Sequence, residues 1–82
     1  MILLLHFLLL LVSTANLGKI KFFNATKGFG FVIPNNGPDL FFHVSGCAGI
    51  TEQDLQPDTE ISFDIETDNQ GRKKAVNIRK LS

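Results

Sequence analysis

The chain has 82 residues, 44% of them hydrophobic, and its eight basic and eight acidic side chains give a formal net charge of zero. That length allows one small domain, and that balance argues against a strongly basic binder of duplex DNA. A single cysteine, Cys47, excludes an intramolecular disulfide and a cysteine-based zinc cluster, and is read as a small packed side chain.

Charge is segregated along the chain. Residues 19–45 carry three lysines against Asp39 alone, residues 46–70 carry seven acids and no base, and residues 71–82 carry five bases and no acid. Six of the eight phenylalanines fall between Phe22 and Phe42.

In chain order, Ile2 to Val12 is an apolar run broken by His6, too short for a bilayer span of about 20 residues. Three readings of it stay open: a secretory leader with Ser13-Thr14-Ala15 as its cleavage pattern, a membrane-associating tail, or a start placed upstream of the true one. Residues 1–16 are accordingly set apart as an extension and residues 17–82 as the domain.

Lys19–Asn24 predicts a first strand, with Ile20 inward and Lys21 outward. Phe29–Ile33 predicts a second, stopped by Pro34, followed by the turn Asn35-Asn36-Gly37-Pro38. Asp39–Val44 predicts a third. A longer connection from Ser45 to Thr59 has room for one helical turn around Thr51–Asp54, although aspartate at its fourth position makes a poor capping box.

Glu60–Thr67 alternates most clearly, with Ile61, Phe63 and Ile65 inward and Ser62, Asp64 and Glu66 outward. Asp68-Asn69-Gln70-Gly71 makes a hairpin turn into Ala75–Leu81, where Val76 and Ile78 are expected inward and Asn77 and Arg79 outward. No amphipathic helix of ten residues interrupts the series. Five short strands without a crossover helix predict an all-β protein, a five-stranded antiparallel barrel of the oligonucleotide-binding (OB-fold) type.

Two segments carry the chemistry. In Lys27-Gly-Phe-Gly-Phe-Val32, strand alternation puts Phe29 and Phe31 on one face and the glycines on the other. In Leu40-Phe-Phe-His-Val44, Phe41 and His43 share a face opposite Leu40, Phe42 and Val44. Both faces cannot be core, so one aromatic set is expected on the surface, near lysines, where single-stranded nucleic acid would stack. No nucleophile–base arrangement, phosphate-binding glycine loop or metal cluster offers an enzyme reading, and no cofactor or metal is expected. Asp64, Glu66 and Asp68 are read as the solvent face of a strand and its turn.

Lys27–Val32 matches the first six positions of the ribonucleoprotein pattern Lys/Arg-Gly-Phe/Tyr-Gly/Ala-Phe-Val. Together with Gly18-Lys-Ile-Lys-Phe-Phe-Asn24 and Phe41-Phe-His-Val-Ser45, in this order, it resembles the bacterial cold-shock domain proteins, and the likeness covers residues 17–82. The resemblance implies binding of single-stranded RNA and DNA on a five-stranded barrel, and action as an RNA chaperone or a regulator of transcription or translation. It implies a stacking platform of Phe22, Phe29, Phe31, Phe41 and His43, lysines 21 and 27 (Lys21, Lys27) near phosphates, and Asp39 bonded to a base edge.

The chain departs from the family in several places. Phe22 stands where relatives usually carry Trp, Val44 replaces an aromatic, and Glu52 falls where many have another Phe, which implies a smaller platform. Conversely Arg72-Lys73-Lys74 adds bases in a turn, with Arg72 and Lys73 expected to extend the phosphate track. The expectation is a cytoplasmic monomer or weak dimer with no small-molecule substrate, and no membrane association unless residues 1–16 are retained. The alternative is an exported barrel that binds a peptide or other partner through its exposed phenylalanines.

Overall fold

In the computed structural model, residues 12–81 are described, with side chains from Asn16 onward. Residues 1–11, which hold all of the apolar run except Val12 and most of the expected extension, and Ser82 lie outside the described residues. Five strands form a closed barrel: β1 (Val12–Asn24), β2 (Phe29–Pro34), β3 (Leu40–His43), β4 (Glu60–Thr67) and β5 (Lys73–Lys80), in the order β1-β2-β3-β5-β4.

Every seam is antiparallel except β3–β5, which pairs in parallel through Phe41 and Lys74. The expected five-stranded barrel is present, and its one parallel seam has a geometric reason. Directions that alternate around a ring of five strands must repeat once, so one neighbouring pair runs the same way. That seam is short, and the Cys47–Ile78 bridge extends it beyond β3.

β1 begins well before the expected Lys19. Its first half, from Val12 to Lys19, pairs with β4, and its second half, from Gly18 to Asn24, pairs with β2. The strand thus runs through the expected 16/17 boundary. Serving two neighbours in turn is how one strand closes a small barrel, and its length follows from that double duty.

The core is Ile20, Val32, Leu40, Phe42, Leu55, Ile61, Phe63, Ala75 and Ile78, all less than 10% exposed. Phe23, Val44, Cys47, Ile50 and Ile65 pack against it. Alternation read from sequence holds in β2, β3 and β4, where Phe42 and Phe63 fill the centre and Phe41 and His43 point out.

Alternation does not hold in β5. Ala75 is buried there and Val76 only half-buried. Ser62 pairs with Arg79 and Asp64 with Val76, so Phe63 alone faces both Asn77 and Ile78. Asn77 is the extra residue of this bulge, at φ 52°, a left-handed conformation that asparagine tolerates better than most side chains. The bulge resets the alternation, which is why Ala75 takes the inward place expected for Val76. The connection after β3 holds two short 3-10 turns, Val44–Gly46 and Glu52–Asp54. Leu55 at the end of the second turn plugs the core, a role its loop position did not signal.

Candidate nucleic-acid interface

A second bulge builds the exposed aromatic face. Ile20 pairs with Val32, yet Phe22 pairs with Phe31, so Lys21 is an extra residue in β1. Simple alternation would put Phe22 inside with Ile20. The bulge instead leaves Lys21 and Phe22 both exposed and turns Phe23 inward, where it stacks on Phe42 at 5.9 Å. Gly30 makes this packing tight: a Cβ there would collide with the Phe22 carbonyl oxygen and lie 2.8 Å from Phe42 Cε1. The glycine expected to leave room on the inner face does so for the Phe42 ring and the bulged backbone of β1.

Cross-strand register then sets the outward residues in a row. Phe22 pairs with Phe31, Phe31 with Phe41, and Phe41 with Lys74, across four adjacent strands. Ring centroids along the row are 5.5 Å apart for Phe22–Phe31 and 6.0 Å for Phe31–Phe41. One register step along, Phe29 pairs with His43, and Phe29 stacks on Phe41 at 5.8 Å and 27°. Phe22 and Phe41 remain 40% and 39% exposed, which is unusual for rings that an interior could hold. The five aromatic residues expected on one surface are therefore brought together.

The charged residues divide into paired and unpaired groups. Lys21 Nζ lies 2.7 Å from Asp39 Oδ2, so two residues given separate roles from sequence form one ion pair at the rim. Arg72 is tied to Asp68, whose carboxylate accepts the Arg72 N–H at 2.9 Å, the Arg72 Nε–H at 2.8 Å and the Gln70 N–H at 2.8 Å. The backbone N–H of Arg72, its guanidinium and the Gln70 N–H together hold the Asp68 carboxyl below the usual carboxylate range. Lys74 is 3.6 Å from Glu66. Among the described residues, Lys27 and Lys73 have no acidic partner, and both border the aromatic face, Lys27 ahead of Phe29 and Lys73 beside the Phe41–Lys74 pair.

Phe41, Asp68, Arg72, Lys73 and Lys74 line a shallow groove of about 440 Å³ where the row ends. The basic turn thus adjoins the platform, although two of its three cations are already offset. Sequence reasoning missed Lys74 as the row's last member, because only the parallel β3–β5 pairing brings it beside Phe41. Two other carboxylates of the acidic stretch tie elements together: Asp64 accepts from Asn77 Nδ2 at 2.8 Å, and Asp54 accepts from Lys80 at 3.2 Å. Cys47 packs against the core, and burial pushes its thiol up.

Residues 16–81 match the family model described as the 'Cold-shock' DNA-binding domain. The chain is 42% identical over 64 residues to the "Cold shock-like protein CspE" of Bacillus anthracis, covering 78% of this chain and 94% of that one. It is 42% identical over 65 residues to the "Major cold shock protein" of Streptococcus pyogenes serotype M1, covering 79% and 96%. It also matches the "Cold shock domain-containing protein 4" of Arabidopsis thaliana at 40% over 62 residues, 74% of this chain but 31% of the plant protein.

Proposed function

This chain belongs to the cold-shock domain family, and from that premise we propose that it binds single-stranded RNA and DNA across the Phe22–Phe31–Phe41 row. The observation that carries this reading is three outward rings at 5.5 and 6.0 Å in one cross-strand line, with Phe29 and His43 beside them. Unpaired bases have exposed faces to lay on such rings, whereas a duplex keeps its bases stacked on one another. Each stacked base contributes about 1–3 kcal/mol, and the contact tolerates any base.

Lys27 and Lys73 meet the phosphates, since neither has a carboxylate to leave. Lys21 and Asp39 act as one unit at the rim: binding there exchanges their mutual contact for contacts to a phosphate and a base edge. Arg72 orders the hairpin through Asp68 and so holds Lys73 beside the groove. The activity is that of a cytoplasmic RNA chaperone, or of a regulator of transcription or translation, which captures transiently opened strands and so disfavours re-pairing. The alternative of an exported barrel that binds a peptide draws no support from the comparisons.

The test is a titration of labelled oligonucleotides in single-stranded and duplex form, with each base in turn. Single strands should bind with affinity that falls as salt rises, and duplexes of equal length should bind far more weakly. Equal affinity for both forms would refute the stacking reading.

A further inference from the structure

His43 has a second set of contacts, which its place on the aromatic face does not explain. Its Nδ1 accepts the Ser45 backbone N–H at 3.1 Å and lies 2.9 Å from Ser45 Oγ. In this way the ring caps the 3-10 turn Val44–Gly46. A backbone N–H is only ever a donor, so Nδ1 must offer its lone pair. When the ring is neutral, its one proton therefore sits on Nε2, and the Ser45 hydroxyl donates to Nδ1 as well.

Nε2 is on the other side of the ring, beside the loop that enters β2. A Cβ at Gly28 would lie 3.7 Å from Nε2 and 3.4 Å from Val44 Cγ1. Gly28 holds φ at 75°, and its carbonyl accepts the Val44 N–H at 2.8 Å, which ties loop and turn together. Among the described residues, Nε2 has no hydrogen-bond partner, and His43 is exposed. The residue preceding Gly28 is Lys27, one of the cations without an acidic partner.

We propose that Ser45 is a positioning residue that holds His43 in the Nε2–H tautomer, so that this N–H donates to an oxygen of the bound strand, a base carbonyl or a phosphate oxygen. The proposal rests on the single-strand reading and deepens it, because His43 then bonds to the strand as well as stacking on it. A ring flip would exchange the positions of nitrogen and carbon atoms and remove the donor. Two bonds from Ser45 prevent that flip before the ligand arrives, which lowers the ordering cost of binding.

The experiment has two parts. In the free protein at about pH 8, long-range ¹H–¹⁵N correlation should show His43 with Nδ1 unprotonated and Nε2 protonated. Ser45→Ala removes the hydroxyl bond and keeps the backbone one, so it should loosen the ring, raise the share of flipped or Nδ1-protonated forms and weaken binding roughly twofold to fivefold, and Ser45→Thr should reverse both effects. His43→Phe keeps a stacking face and loses the donor, and should weaken oligo-dT binding roughly threefold to tenfold.

Two further ligands separate the sources of the oxygen. With a phosphate acceptor, the gap between wild type and His43→Phe closes on a methylphosphonate strand. With a base carbonyl, the gap closes on oligo-dA, whose bases carry none. A protonated Nδ1 in the free protein overturns the positioning role, and His43→Phe binding at wild-type strength while folded overturns the donor. Ser45→Ala, which keeps the ring and the capping N–H, guards against a folding defect in His43→Phe. A wild-type protein that binds no strand removes the underlying reading instead, and the tautomer spectrum still judges Ser45.

Discussion

Phe31 is the middle ring of the row, with Phe22 on one side at 5.5 Å and Phe41 on the other at 6.0 Å. Truncating it to alanine removes one stacking face, about 1–3 kcal/mol, which is roughly a fivefold to 150-fold rise in Kd. It also removes two ring pairs worth about 0.5–1.5 kcal/mol each beyond their buried area. That second loss falls on the folded protein whether or not a strand is bound. With about 4–8 °C of Tm per kcal/mol for a domain of this size, Phe31→Ala should melt noticeably earlier.

The two effects are separable. Fluorescence anisotropy with a labelled oligo-dT, below the melting range defined by far-UV circular dichroism, reads affinity on folded protein. The label belongs on the oligonucleotide because the chain has no Trp or Tyr. Phe22 has one ring neighbour in the row and Phe41 has two, Phe29 and Phe31, so Phe22→Ala should cost less affinity than Phe31→Ala or Phe41→Ala. A folded Phe31→Ala with Kd within about twofold of wild type, or Phe22→Ala as the worst of the three, would refute the row.

Gly30→Ala places a Cβ against the Phe22 carbonyl and 2.8 Å from the Phe42 ring, whereas Gly46→Ala meets nothing nearer than 3.5 Å. Thermal melts should show a loss of at least about 1–3 kcal/mol for the first and a near-neutral second; similar melts for both would contradict the packing described. Lys73→Ala should flatten the dependence of log Kd on log salt by about 0.7, and Lys74→Ala by less, because Glu66 already offsets it; equal changes would show that the ion pair does not matter to binding. Asp68 is held below the usual carboxylate range by the Arg72 backbone N–H, the Arg72 side chain and the Gln70 N–H. Its contribution is complete above the unfolded value near 3.9 and is lost as pH falls through the lower folded value. The amide resonances of Gln70 and Arg72 should therefore titrate with a midpoint below that of an unstructured aspartate, and a midpoint at or above it would remove the proposed order in the hairpin.

Much of the fold and site was legible before any coordinates. Period-two alternation in Glu60–Thr67 and in the Phe29 and Phe41 segments identified strands and their outward faces, because a pleat leaves a side chain no other choice. The harder residues were those whose place depends on a bulge. Family resemblance places Phe22 at the surface, whereas alternation from Ile20 points it inward; the extra residue Lys21 reconciles the two. Val76 and Ala75 exchanged expected roles for the same reason, through Asn77. A bulge adds one residue with no characteristic pattern of polarity, so periodicity passes over it.

By itself, then, the sequence determined five strands, a closed all-β core around Phe42 and Phe63, and an aromatic surplus with nowhere to go but the surface. Local sterics and the alternation of side chains are enough for that much. Tertiary structure alone decided the cross-strand row, the Lys21–Asp39 and Arg72–Asp68 pairings, and the place of Lys74 beside Phe41. Lys21 and Asp39 lie 18 residues apart, and Phe41 and Lys74 are further apart still. Which of them meet depends on strand register and on the one parallel seam that a five-stranded ring must contain.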